Sequence, residues 1–234
     1  ISSLDYLIEK EIPFKFLTNN SSRTPDQCAK HMLDIGFEKI KPEYFYTSAM
    51  ASADYIDKKY PDKKRAFMIG QDGLKEALLN RGFEIVEERA DFVFIGLSLS
   101  AGYQDYSKAL QQCLDGAILV GTNNDRILLN EKGAGCGNGS IVALFEYALN
   151  TQAVKIGKPH APIIEGVLAE LNVTKEDVIM VGDNLETDIL CGINSQIETI
   201  LVLGGVHNEE DVKAYNIHPT HIIKSLEELI IRRG

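Results

Sequence analysis

Short runs of apolar, β-branched and aromatic residues alternate along the chain with longer amphipathic stretches. The short runs predict strands over residues 14–17, 66–69, 92–96, 117–120, 154–156, 178–181, 199–203 and 221–223. Helical periodicity predicts helices over 3–10, 25–35, 48–58, 73–81, 103–114, 139–149, 162–171, 186–191, 209–215 and 225–232. This alternation predicts an α/β fold with parallel sheets covered by helices on both faces, and ligands at the carboxyl ends of the strands.

Several boundaries carry their own chemistry. Thr24-Pro25-Asp26 reads as an N-cap, a proline at the first helical position and an acid in the first turn. Thr174 and Asp177 have the spacing of a capping box. Gly36, Gly82 and Gly192 follow helical runs and are expected as left-handed C-caps. The middle of the chain, 59–151, opens on the charged stretch 58–65, which reads as a helix end or solvated linker. With at least three predicted strands and three predicted helices of its own, it is expected to be a separate small α/β unit, inserted into a domain made of 1–58 and 152–234. There is no internal repeat and no low-complexity tract.

Composition narrows the function classes. The 234 residues are 44% apolar, enough for a packed core. A net charge of −10 argues against a general nucleic-acid binder, which needs a basic face. No apolar run approaches the roughly 18 residues of a membrane span. Cys28, Cys113, Cys136 and Cys191 are scattered, with no C-x-x-C pair, and read as reduced, partly buried thiols of a cytoplasmic protein. His218 and His221, with Pro219 and Thr220 between them, read as a turn entering a strand rather than a metal pair.

Three polar clusters share one context, the end of a buried strand. In Leu17-Thr18-Asn19-Asn20-Ser21-Ser22, hydroxyls and amides precede a helix N-terminus, which suits a phosphate; an ordinary Asx or Ser turn is the alternative. In Gly157-Lys158-Pro159, Gly157 permits close backbone approach and Lys158 offers a point charge for a phosphoryl oxygen, against the alternative of a surface lysine at a turn. Pro159 stands where a P-loop requires Ser or Thr, so this is not a P-loop. In Gly182-Asp183-Asn184-Leu185-Glu186-Thr187-Asp188, Asp183 can bind a hard cation and Asp188 can support it; first-turn helix acids are the alternative. The glycine-rich stretch 133–139 does not match G-x-G-x-x-G in any register, which argues against a dinucleotide-binding protein.

Thr18, Lys158 and Asp183, in that order, resemble motifs II, III and IV of the haloacid dehalogenase (HAD) superfamily of phosphatases. Thr18-Asn19-Asn20-Ser21-Ser22-Arg23-Thr24-Pro25, Tyr46-Thr47-Ser48-Ala49-Met50-Ala51, Gly121-Thr122-Asn123-Asn124-Asp125, Gly137-Asn138-Gly139-Ser140, Ile156-Gly157-Lys158-Pro159 and the Gly182–Asp188 run resemble its NagD-like, para-nitrophenylphosphatase-type branch. The resemblance covers essentially the whole chain. It implies a Rossmann-like parallel core with an inserted α/β cap of the C2 type, at 59–151. It implies a phosphomonoesterase acting on a small phosphorylated metabolite, such as a sugar phosphate or nucleotide. Thr18, Asn19 and Asn20 would bind the phosphoryl group and Lys158 would neutralise it. Asp183 would bind Mg²⁺, with Asn184 and Asp188 supporting. Asn123, Asp125 and the 137–140 loop would face substrate from the cap; a strand-end turn and a glycine-rich helix start are their alternative. A homodimer through the cap is a further expectation.

One departure is plain. The family's first strand ends in D-x-D-G-T, whose first Asp attacks phosphorus and whose second acts as general acid and base. This sequence contains no such motif, and neither Asp5 nor Asp72 stands in a context that replaces it. The resemblance implies a parent polypeptide carrying that strand upstream of Ile1. The contrasting reading is a phosphate- or metabolite-binding protein without turnover.

Overall fold

A computed structural model describes residues 3–130 and 133–231; the predicted helix end at Arg232 lies outside them. The chain runs α1 (Ser3–Glu9), β1 (Phe16–Thr18), α2 (Pro25–Asp34), β2 (Phe45–Thr47), α3 (Ser48–Lys59), β3 (Arg65–Ile69) and α4 (Asp72–Asn80). It continues through β4 (Glu84–Ile85), β5 (Phe92–Ile95), α5 (Tyr103–Leu114), β6 (Ile118–Gly121), β7 (Ile127–Asn130), β8 (Gly133–Cys136) and α6 (Asn138–Leu149). Then come β9 (Val154–Lys155), α7 (Pro162–Leu171), β10 (Ile179–Gly182), α8 (Leu190–Ser195), β11 (Glu198–Val202), α9 (Glu209–Tyr215), β12 (His221–Ile223) and α10 (Glu227–Ile231).

The predicted α/β class holds, and each predicted strand has a counterpart within about two residues. A five-stranded parallel sheet has the order β4-β3-β5-β6-β9. Both its faces are buried, so side chains alternate between two clusters: Phe92 and Phe94 join α3 and α4, while Val93 and Ile95 join α5 and α6. Val154–Lys155, beyond the 59–151 segment, closes this sheet by pairing with β6. The remaining parallel strands form two sheets, β1-β2 and β10-β11-β12. Among the described residues β1 and β10 each have one strand partner, leaving one edge of each free of the ladder.

Two of the expected helix signals form as read. Thr24 Oγ1 accepts from Gln27 N–H (3.2 Å) and Gln27 Oε1 accepts from Thr24 N–H (3.0 Å). Gly36 and Gly82 adopt positive φ, +99° and +73°. Gly192 corrects its expectation: it lies inside α8, whose left-handed cap is Gln196 at φ +60°. A side chain at Gly192 would run into Thr199 of β11, so the glycine serves helix-on-strand packing. The helix expected over 186–191 is a wider π-type turn over Leu185–Ile189, followed by α8. Strands β2, β4, β7 and β8 were not foreseen.

One apolar cluster joins the two parts of the molecule. Tyr46, Ile56, Leu74, Leu78, Phe92, Phe94, Ile156, Ile163 and Met180 belong to it, drawn from α3, α4, β5, α7 and β10 among others. Tyr46 is fully buried and its hydroxyl donates to Asp54 (2.9 Å). Gly166 of α7 lies against that hydroxyl, with no room for a Cβ. A glycine-to-alanine change inside a helix ordinarily gains about 1 kcal/mol. Here the collision reverses the sign: Gly166→Ala is expected to lower unfolding free energy by about 1–3 kcal/mol, with partial recovery in Gly166→Ala/Tyr46→Phe, measured by urea denaturation.

All four cysteines are free thiols, as the sequence suggests. Burial pushes Cys113 up to about 11 and Cys191 up to about 12, and raises Cys28 against the opposing Arg23 charge. Cys136 is exposed on β8. Native protein at about pH 8 is therefore expected to show one fast-reacting thiol with a disulfide reagent, lost in Cys136→Ser, the other three reacting on unfolding.

Candidate active site

The site forms where β1, the loop after β9 and the turn after β10 deliver their polar ends. Lys158, three residues beyond β9, sends Nζ to the Leu17 carbonyl of β1 (3.0 Å) and to Asp188 Oδ1 (2.6 Å). Both charged side chains are about nine-tenths buried, at 12% and 9% exposure. The second oxygen of Asp188 accepts from Asn184 N–H (3.2 Å). Both carboxylate oxygens are thereby committed to aiming Lys158 and closing the acidic turn. Gly182 lets Asp188 fold back over the end of β10, because a Cβ there would strike its carboxylate.

Asp183 stands at the mouth of the same turn. Its Oδ2 accepts from Val206 N–H (3.1 Å), and a side chain at Gly205 would collide with that carboxylate. Asn184 caps the π-type turn by accepting from Glu186 and Thr187 N–H (2.9 and 3.2 Å). Among the described residues no three His, Cys, Asp or Glu side chains converge as a metal group. The donor chemistry nevertheless fits Mg²⁺. That ion takes one or two protein carboxylates and completes its octahedron with water and phosphate oxygens, and Asp183 offers one oxygen-donor carboxylate.

Thr18 ends β1, its Oγ1 accepting from Asn20 N–H (3.1 Å). Asn20 turns the loop, its Oδ1 accepting from Ser22 N–H (2.8 Å) and Ser22 hydroxyl (2.7 Å). Asn19 reaches across the molecule. Its Oδ1 accepts from Lys158 N–H (2.8 Å), and its Nδ2 donates to Lys158 O (3.0 Å) and Asp125 Oδ1 (2.9 Å). Asn123 Nδ2 donates to Asn19 O (2.7 Å). Burial raises the Asp125 carboxyl above the usual range; the Asn19 hydrogen bond and the Lys158 charge pull it down, and Asp188 adds to the rise. Asn19, Lys158, Asp188, Asn123 and Asp125 thus meet in one network, with Asn184 joined to it through Asp188; Thr18 and Asp183 lie at its edge, each next in sequence to a residue of it. Gly137, Asn138 and Gly139 are buried behind the Asn123–Asp125 turn.

Four further residues build the site, of which Ser48 and His207 carry no site expectation from the sequence, while Ser21 and Asn138 lie in the clusters expected to meet phosphate or substrate. Ser48 Oγ donates to Asn19 O (2.8 Å), and Ser21 Oγ lies 3.1 Å from Thr122 Oγ1. Asn138 Nδ2 donates to Ile95 O (3.0 Å). His207 Nδ1 accepts from Leu185 N–H (3.1 Å), and His207 N–H donates to Asp183 O (3.1 Å). Ser21, Ser48 and Asn138 lie inside the motif runs; a lone histidine in a loop carries no comparable signal.

A buried lysine paired with one acid and flanked by a second, at the ends of parallel strands, is a donor set that suits a phosphoryl group and a hard cation. The comparisons with known proteins give the family. A haloacid dehalogenase-like hydrolase family model matches residues 1–84, and a HAD-hydrolase-like model matches 155–229. An acid sugar phosphatase of Staphylococcus epidermidis is 38% identical over 228 residues, covering 97% of this chain and 87% of that protein. The crystal structure of a double-mutant thermostable NPPase from Geobacillus stearothermophilus superposes with a TM-score of 0.89 at 37% identity, covering 96% and 89% of the two chains. A glycerol phosphate phosphatase of Mycobacterium tuberculosis, solved with magnesium, gives 0.86 at 30% identity, covering 92% and 66%. The chain belongs to the haloacid dehalogenase-like hydrolases, in their NagD-like branch.

The buried pair fixes a stability expectation. Lys158→Met strands the Asp188 carboxylate and is expected to cost about 3 kcal/mol. Lys158→Met/Asp188→Asn is expected to cost less than the sum of its single variants, read as a coupling energy in a double-mutant cycle by chemical unfolding.

Proposed function

We propose that this chain is the greater part of a Mg²⁺-dependent phosphatase of small phosphomonoesters, acting in the cytoplasm. The observation that carries the reading is Lys158, hydrogen-bonded both to the β1 carbonyl next to Thr18 and to Asp188 of the turn that Asp183 opens. Thr18 hydrogen-bonds a phosphoryl oxygen. Lys158, aimed by Asp188, neutralises the group and the charge that develops in transfer. Asp183 would hold Mg²⁺, which would supply positive charge against the phosphoryl group. The phosphatase names of the relatives support the substrate class, and the magnesium complex supports the ion. No helix among the described residues is long and apolar enough to cross a membrane.

The sequence contains no D-x-D-G-T, so the attacking carboxylate is assigned to a strand outside it, seated between the free edges of β1 and β10. That carboxylate attacks phosphorus as the ester oxygen leaves and takes a proton from the motif's second Asp. Water then cleaves the aspartyl-phosphate, releasing inorganic phosphate and restoring the carboxylate. The unit over 59–151 serves as the cap that shapes the entrance.

The protein expressed from its complete reading frame is expected to hydrolyse para-nitrophenyl phosphate with Mg²⁺ and not with excess chelator. Lys158→Ala and Asp183→Asn are each expected to lower kcat/KM about a hundredfold or more. Full activity in either variant overturns the role given to that residue. No hydrolysis by the folded wild type favours the binding protein without turnover.

A further inference from the structure

Asp125 is built into the molecule with unusual care for a residue on a connecting turn. Its backbone N–H is held by Asn123 Oδ1 (3.2 Å) and its carbonyl accepts from Gly139 N–H (2.9 Å). Gly137 packs on the Asp125 carbonyl and Gly139 on Asn124, each too closely to admit a Cβ. Asn138, itself 2% exposed, anchors the turn from below through Ile95 O, and its amide also lies 3.3 Å from Asn123 O. The turn therefore presents one carboxylate oxygen in a fixed position, and the group it meets is the Asn19 amide (2.9 Å).

The other two partners of that amide are the carbonyl and N–H of Lys158. Asn19 is thus hydrogen-bonded through every atom that faces the network, and its own carbonyl takes Ser48 and Asn123. An amide so committed has little capacity left for a ligand; its work is to hold the Lys158 backbone beside β1. Gly157 makes this possible, since a Cβ there would stand 2.7 Å from Asn19 Oδ1 and 2.6 Å from Thr122 O.

We propose that Asp125 is a positioning residue: through the Asn19 amide it fixes the Lys158 loop, so the five-stranded unit sets the geometry of the phosphate site instead of only covering it. The proposal rests on the phosphatase reading for its kinetic consequence. What matters at Asp125 is an acceptor oxygen at the right distance; its charge does no chemistry on substrate.

Variants of the protein expressed from its complete reading frame separate geometry from charge. Asp125→Asn keeps an acceptor oxygen in place and is expected to retain kcat/KM for para-nitrophenyl phosphate within about threefold. Asp125→Glu keeps the charge but moves the acceptor by one methylene, and Asp125→Ala removes it; both are expected to lose about tenfold or more. Equal loss in Asp125→Asn and Asp125→Ala overturns the proposal, because the charge then acts directly. Wild-type activity in Asp125→Glu and Asp125→Ala overturns it as well. Should Asp125→Ala fail to fold, the Asn and Glu variants decide between them.

Amide hydrogen exchange gives a readout independent of turnover. The Lys158 N–H is expected to exchange faster in the Glu and Ala variants and at the wild-type rate in Asp125→Asn. Unchanged exchange in all variants overturns the tether. The expected exchange pattern in a wild type that hydrolyses nothing supports the tether and overturns the phosphatase reading alone.

Discussion

The site depends on one primary amide. Asn19 lies 139 residues from Lys158 and 106 from Asp125 in sequence, yet its side chain hydrogen-bonds both. Each bond contributes about 1 kcal/mol net, somewhat more where the acceptor is charged. The larger quantity is what a mismatch costs: the partners are a peptide group and a carboxylate withdrawn from water, and either left alone carries its full desolvation penalty. The same loop is held further along. Ser21 meets Thr122, and Gly73 N–H donates to Ser22 O (3.0 Å), with Gly73 packed on the Arg23 backbone. From Asn19 to Arg23, the loop after β1 is laced to the five-stranded unit.

Charge follows the same economy of place. The chain's net charge of −10 is unfavourable for a phosphate ester at long range. At the site the balance is local: Lys158 faces Asp188, and Asp125 adds a second carboxylate within Coulombic reach. A buried lysine between acids is stable in the absence of ligand only while its ammonium is hydrogen-bonded, and Leu17 O with Asp188 supplies those acceptors. Glycines at 182 and 205 bring the two acids of the β10 turn against backbone, which explains their place beside the aspartates better than any turn requirement.

The strands that sequence patterning reveals carry a short apolar or β-branched run between polar stretches, most plainly Phe92-Val93-Phe94-Ile95, which is buried throughout. Those it misses have physical reasons to be silent. Strand β8 is Gly-Ala-Gly-Cys, exposed throughout and formed only by pairing with β7. Strand β2 is three residues long behind a 3-10 turn at Pro42, and aligns only because β1 lies beside it. The site divides similarly. Thr18, Lys158 and Asp183 are readable because each follows its own strand. The joins made by Ser48, Asn138 and His207 are not, because they end on backbone groups of distant segments.

The shared apolar cluster settles what kind of mobility the assembly permits. Units joined by a small polar interface swing freely. Here α3, α4 and β5 bury Ile56, Leu78, Phe92 and Phe94 in the cluster that also holds Ile163 of α7 and Met180 of β10. A rigid swing of the five-stranded unit would expose several of these, at about 25 cal/mol for each Å² of apolar surface, and would pull Asp125 from Asn19. The two costs fall on the same motion. A cleft of about 670 Å³ lies beside Asn20 and Ser22, walled by Arg23 and Gln27 on one side and Gln71, Asp72 and Leu99 on the other. The loop from Asn19 to Arg23 stays where the five-stranded unit holds it.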